Sequence, residues 1–490
     1  MHRRTFLIGS TAATATLAQL GSAQIPLRPL PIPPLTDLTV GVDERVNLHC
    51  APGQHDFGTG ALSETLGING PYLGPVLRAR QGQTLPFAVS NGLDEVTTLH
   101  WHGLHIPGAV DGGPHQEIEP GGTWFPDVPI AQRASMNWFH SHTHGRTARQ
   151  TYKGLAGVLL VEDDESLSAD LPQTYGVDDF TLVLQDKVFD AEGQMSYDLS
   201  AEVFEDGLQG DTLIVNGTLA PVGQTVPAGL VRIRILNACN ARFLTLSMSE
   251  GPLNVIACEG GFLSSTVEAE SILMSPGERY EFLVDLGTAP SNSLMVSFDG
   301  GDGLLGLLGG LFGGGPAMTA LTLTRGAEPG FSGSMPKSLA LLDPPDRSNV
   351  TQTRDFQLQM DTGADLAAMA LAWDNFCGQA GAMAINGLPM NMDRIDESVA
   401  KGNTEIWRIS VDDMLHPFHI HGCSFRILSQ NGTAPPDYAS GWKDMVHVEE
   451  GWSEVLVRFD YDAPADAPYM YHCHILEHED CGMMGQFTVT

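Results

Sequence analysis

Histidines spaced as His-x-His occur early and late in this 490-residue chain: His100-Trp101-His102, His140-Ser141-His142, His419-Ile420-His421 and His472-Cys473-His474. In an extended strand successive side chains leave by opposite faces, so each such spacing puts two imidazoles on one side. A single pair is more often two surface or core histidines. Four pairs in one chain, one of them enclosing a cysteine, point instead to a shared metal centre. A centre assembled from both ends forces the two end portions to meet across an interface, with the intervening chain as spacer and lid.

The last stretch carries the most chemistry. Tyr471-His472-Cys473-His474-Ile475-Leu476-Glu477-His478 is followed by Met483. A thiolate between two imidazoles, then an imidazole and a thioether, is a donor set for copper. Alternation along the strand lets Cys473 share one ion with His478 and Met483 while His472 and His474 face another site. One tripeptide would then join two centres roughly 10 Å apart, the thickness of one packed sheet layer. Such a path of bonds suits electron transfer.

The rest of the chain reads as strands. Residues 84–91, 231–237, 279–287, 404–411 and 453–461 mix apolar and polar residues over strand lengths between turn residues. Helical periodicity is confined to 365–376 and, more weakly, 164–171. Asn69-Gly70, Asn216-Gly217 and Asn386-Gly387 lie 147 and 170 residues apart, each preceding a strand at a similar distance. That spacing favours three related β-sandwich units closed as Greek-key barrels, bounded near 162–176 and 329–349. The ligand motifs fall in the first and third. Residues 300–315, nine of them glycine, are too permissive for a core strand and read as a mobile loop of the middle unit.

A net charge of −34 argues against nucleic acid and anionic membrane as partners, since both would repel the chain. Arg3-Arg4 ahead of a small apolar stretch ending Gly21-Ser22-Ala23 reads as a twin-arginine (Tat) leader, residues 1–23, and hence a periplasmic protein exported already folded. No other segment approaches membrane-spanning length. Besides Cys473 there are Cys50, Cys239, Cys258, Cys377, Cys423 and Cys481. Spacing does not fix their connectivity. Buried free thiols are expected for most, with Cys423–Cys481, both beside ligand motifs, as the one candidate bridge.

Together the strings TTLHWHGL, DGGP, WFHSHTHGRT, GLAG, CNAR, LHPFHIHG, FRILSQNG, GWKD and HILEHEDCGMM resemble the three-domain multicopper oxidases over essentially the whole chain, and more narrowly the bacterial copper efflux oxidases. The resemblance implies an all-β fold of three consecutive cupredoxin-like Greek-key barrels, over 36–165, 177–327 and 350–490, acting as a monomer. It implies four copper ions: a type 1 ion held by His416, Cys473 and His478 with Met483 axial, a type 2 ion held by His100 and His419, and a type 3 pair held by His102, His140, His142, His421, His472 and His474. Electrons from a reductant would enter at the type 1 ion and pass along Cys473 to the other three, where O2 is reduced to water. Asp111 and Glu479 match the family's proton-relaying acids. His144 matches no ligand position and is expected outside the donor set.

Met360, Asp365, Asp412 and Met414 fall where copper efflux oxidases hold Cu(I) as substrate, and thioethers do select Cu(I). Asp412 would also hydrogen-bond and orient His416. One departure bears on the donor. Residues 360–392, which include Met369, Met383, Met390 and Met392, contain no histidine and lack the long Met- and His-rich insertion of those oxidases. A less covered type 1 site would admit small phenols, so a laccase-like oxidase is the alternative. A copper-free structural relative of the exported cell-division type and a non-catalytic copper-binding protein are the readings from other classes.

Overall fold

The computed structural model of the protein describes residues 27–299, 316–360, 383–411 and 414–490. The leader, the glycine-rich run, the helix expected over 365–376, and Asp365 and Asp412 lie outside the described residues. The described strands form six sheets, paired face to face in three units. In the first, Leu35–Asp37, Val76–Arg80, Ala156–Glu162 and Ser135–His140 pack against Ser63–Ile68, Val46–His55, Thr84–Asn91 and Thr123–Trp124. In the third, the order Met383–Ile385, Val350–Met360, Thr404–Val411, Gly451–Arg458, Phe425–Gln430 faces the order Glu397–Val399, Met484–Val489, Tyr469–Cys473, His416–Ile420, Met445–Val448. The middle unit is built alike, around Asp179–Phe189, Leu230–Asn237 and Arg279–Asp285. Strand Arg28–Pro29, ahead of the expected start of the first unit, pairs in parallel with Val222–Gly223 of the middle one.

Each unit encloses its own apolar core: Leu48, Phe87, Trp101 and Phe139 in the first, Ile233, Phe282 and Val296 in the middle, Phe356, Trp407, Tyr471 and Phe487 in the third. Each such side chain contributes about 1.5–3 kcal/mol by leaving water. In the third unit Phe356 packs 4.5 Å from Trp407 and 4.8 Å from Tyr471, centroid to centroid. This aromatic block pins the strand that carries Cys473.

The Asn-Gly repeat has a common structural cause. Asn69, Asn216 and Asn386 take positive φ of 58°, 49° and 54°, a left-handed conformation that asparagine tolerates better than most residues. Each side chain then clips a neighbouring strand: Asn69 accepts from His49 N and donates to Asn47 O, Asn216 accepts from Val183 N and donates to Thr181 O, and Asn386 accepts from Gln357 N and donates to Asp355 O. In every unit the clipped strand runs parallel to the strand expected after the turn, with pairs His49–Ser90, Val183–Leu236 and Gln357–Ser410. Asn431 makes the same two bonds, to Trp452 N and Glu450 O, in a hairpin of the third unit.

Candidate metal centre

Strand alternation sorts the donors. Along Tyr469–Cys473 and beyond, Tyr469, Tyr471, Cys473 and Ile475 join the third unit's core, so His472 and His474 project from the other face. Along His416–Ile420, Phe418 and Ile420 face the core, which places His416 on the Cys473 side and His419 with His421 on the other. In the first unit Leu99 and Trp101 are core residues, so His100 and His102 face outward to meet them. Two separate nests result, on opposite faces of one sheet.

The larger nest lies where the first and third units meet. His102, His140 and His474 form one group, with ring centroids 5.1–5.7 Å apart. His142, His421 and His472 form a second, with Nε2 of His472 3.3 Å from Nε2 of both His142 and His421. His100 and His419 stand between them, 5.9 Å apart, His100 stacked on His421 and His419 on His102. All eight rings are at most 1 % exposed.

In every ring but His474 an outer nitrogen lies against a protein oxygen, which fixes ring orientation. His100 Nδ1 lies 3.0 Å from the Asp111 carbonyl, His140 Nδ1 2.7 Å from the Ser141 carbonyl, His419 Nδ1 2.8 Å from the Asp444 carbonyl and His472 Nδ1 2.8 Å from the Cys473 carbonyl. The Asp111 carboxylate reaches His421 Nδ1 at 2.7 Å and His100 Nδ1 at 3.3 Å. Glu479 spans the second group, its oxygens 3.3 Å from His142 Nδ1 and 3.2 Å from His472 Nδ1. The inward atoms His100 Nε2 and His419 Nε2, and both nitrogens of His474, are buried with no protein partner. Orphaned lone pairs in such a place are costly unless a cation fills the space, so the chamber fits metal.

Burial holds His102, His140, His142, His419, His421 and His474 well below the ordinary imidazole range, with neighbouring rings pushing the same way, and brings His472 down to about 3. These rings are neutral, the form that binds metal. Burial, reinforced by Asp480, raises the Glu479 carboxyl well above the usual carboxylate range.

The smaller nest is inside the third unit. His416 Nδ1 lies 3.4 Å from Cys473 Sγ and His478 Nδ1 3.8 Å from it. Ile475 N–H donates to the same sulfur at 3.4 Å, a bond that favours thiolate. Helix Leu476–Asp480 returns the chain so that His478 O accepts from Met483 N and Met483 O from Cys473 N, which brings Met483, fully buried, alongside. The middle unit closes this nest: His478 Nε2 donates to the Glu205 carbonyl in helix Ala201–Asp206.

Every expected ligand is thus brought into one of the two nests. Met360 and Met414 are half-buried and pack on the third unit's core, Met414 two residues before His416; Asp365 and Asp412 fall outside the described residues. His144, partly buried, stands apart from every group able to hold a metal. The candidate bridge is a correction: Cys423 is a free buried thiol, its Sγ directed at the Ile420 carbonyl, whereas Cys481 is disulfide-bonded and not to Cys423. Proximity in sequence to ligand motifs says nothing about which way a thiol points. Cys50, Cys239 and Cys258 are buried free thiols as expected. Two residues of the site went unassigned in the sequence. Asp444 closes a group with His102 and His419, and Arg279 of the middle unit pairs with it. The GWKD string held the only signal for the first, and Arg279 had none.

Among the described residues no helix is long and apolar enough to cross a membrane. Three multicopper oxidase family models match in succession, over residues 49–166, 164–304 and 349–490. A cell division protein FtsP of Shigella dysenteriae is 36% identical over 100% of this chain and 99% of its own length. A multicopper oxidase of Staphylococcus aureus is 34% identical over 90% of this chain and 88% of its own. Among solved structures, a laccase-like multicopper oxidase CueO of Ochrobactrum sp., described with oxidase activity towards lignin model compounds and lignosulfonate, is 42% identical with a TM-score of 0.84, covering 94% of this chain and 100% of that one. The three cupredoxin-like units, the two histidine-lined nests and these matches agree: this chain belongs to the multicopper oxidase family.

Proposed function

We propose that the protein is a four-copper oxidase that takes electrons singly from Cu(I) and delivers them to O2, serving copper tolerance in the periplasm after export of the folded monomer and removal of residues 1–23. Its units would span 36–165, 177–327 and 350–490. When bound, the copper ions supply one-electron acceptance at one centre and four-electron reduction of O2 to water at the other. His416, Cys473, His478 and Met483 would hold the type 1 ion. His100 and His419 would hold the type 2 ion, and the groups His102–His140–His474 and His142–His421–His472 the type 3 pair.

The observation that carries the reading is Cys473, with its sulfur in one nest and its two sequence neighbours in the other. That tripeptide offers a covalent path between them. Asp111 and Glu479, each bridging two chamber imidazoles, are the carboxyls that would hand in protons. Met414, two residues before His416, and Met360 on the same core, with Asp365 and Asp412, would receive Cu(I), with the thioethers as the soft donors.

Oxidation of phenols is the second reading, supported by the absence of histidine from residues 360–392 and by the activity described for the Ochrobactrum relative. The likeness to FtsP supports a third, structural, reading, against which the full donor set weighs. The test is copper-loaded protein assayed for blue thiolate–copper absorbance and for O2 uptake with Cu(I) or a dimethoxyphenol. Colourless protein that consumes no O2 would leave the structural reading standing. Blue protein whose Cu(I) turnover ignores both Met414→Ser and Asp412→Ala, yet oxidises the phenol, would make it a laccase.

A further inference from the structure

The middle unit carries no candidate ligand, yet it reaches the chamber through two adjacent residues of the third unit. Lys443 Nζ, fully buried, meets Glu259 at 2.8 Å and Glu278 at 2.6 Å, with the Tyr280 hydroxyl at 3.0 Å. Asp444, next in sequence, takes Arg279 in a two-pronged pair, Nη1 to Oδ1 at 2.7 Å and Nη2 to Oδ2 at 2.6 Å. Opposite charges side by side thus meet opposite charges on the middle unit, and a slip of one residue would set like against like. Arg279 also donates to Met136 O of the first unit and to Gly277 O of its own. All three units therefore grip one guanidinium.

From that anchor Asp444 faces the chamber. Its Oδ1 is 3.2 Å from His102 Nε2, and its backbone carbonyl accepts from His419 Nδ1 at 2.8 Å. Gly103 lets the pair approach: at φ +89° it lacks a Cβ that would stand 2.5 Å from Arg279 Nη2 and 2.7 Å from Asp444 Oδ2. With both oxygens engaged by a guanidinium, Asp444 serves as a holder of rings more than as a metal donor.

We infer that the Arg279–Asp444 pair is a positioning element by which the middle unit sets His102, a type 3 donor, and His419, a type 2 donor, and so the hold on the ions of the chamber between the outer units. The inference rests on the copper reading above, and the test separates the two. Wild type, Asp444→Asn, Arg279→Gln and Arg279→Lys would be loaded with copper, and the chamber copper, total copper less that of the type 1 ion, measured against the blue type 1 absorbance of the same sample. That ratio reports even on a partly folded preparation. Expected is a roughly 10- to 100-fold weaker hold on the chamber ions in Asp444→Asn and Arg279→Gln, with the blue band retained and partial recovery in Arg279→Lys. A ratio unchanged in Arg279→Gln overturns the inference, and if Asp444→Asn alone lowers it, Asp444 acts as a donor in its own right. Wild-type protein that takes up no copper would refute the underlying reading instead.

Discussion

The two nests on either face of the Cys473 strand are built on opposite plans. The sulfur nest takes all its expected donors from one unit, three of them from Cys473 to Met483 and the fourth, His416, from the neighbouring antiparallel strand, and is walled by that unit's aromatic core. The histidine chamber draws four rings from the first unit and four from the third, and depends on carboxylates and a guanidinium that cross the seams. The first is therefore as rigid as its own core, and the second only as well formed as the interfaces around it.

The comparison breaks most directly at the shared cysteine. Cys473→Ser should remove the blue absorbance and lower O2 uptake by more than about a thousandfold, since without the thiolate the two nests are uncoupled, while the other ions still load. Retained turnover would end the case for that path. Glu479→Gln acts on the chamber alone and should slow O2 reduction about a hundredfold with the blue band intact, checked by stopped-flow reoxidation. Met414→Ser acts on the sulfur nest alone and should cost roughly tenfold in Cu(I) oxidation while sparing phenol turnover, read from steady-state kinetics with each donor.

The smallest effect concerns the seam between the first and middle units. Lys187, buried, donates from Nζ to the Tyr152 carbonyl at 2.6 Å, and burial brings it down to about 7 from an ordinary 10.5. Between those values the unfolded chain keeps a proton the folded one has lost, so unfolding takes up a proton and stability rises with pH. Lys187→Met should thus gain up to a few kcal/mol on wild type below pH ~7, an advantage that fades as pH approaches ~10.5. Thermal melts across that range, read for the whole chain, would check it, and a pH-independent difference would show that Lys187 is not titrating there.

Local pattern carried much of this architecture. Strands Thr84–Asn91 and Thr404–Val411 have the limits expected of them because turn residues bound their alternating stretches. The ligands were visible because donors must alternate within a strand. What escaped was long-range. The addition of Arg28–Pro29 to the middle unit, the free Cys423 and the Arg279–Asp444 pair all depend on which surfaces meet, and no periodicity encodes that. Arg279 begins a strand like any other until its partner from another unit is in place.

The asparagine clips have a bearing on how the molecule ages. An Asn-Gly step is ordinarily where a polypeptide deteriorates first, because the unencumbered amide can swing onto the following peptide nitrogen and cyclise, shedding ammonia. Here the side-chain oxygen and nitrogen of Asn69, Asn216 and Asn386 are each committed to a neighbouring strand. The swing cannot begin without breaking those bonds, so these three Asn-Gly steps are shelved out of reach for as long as the barrels stay shut.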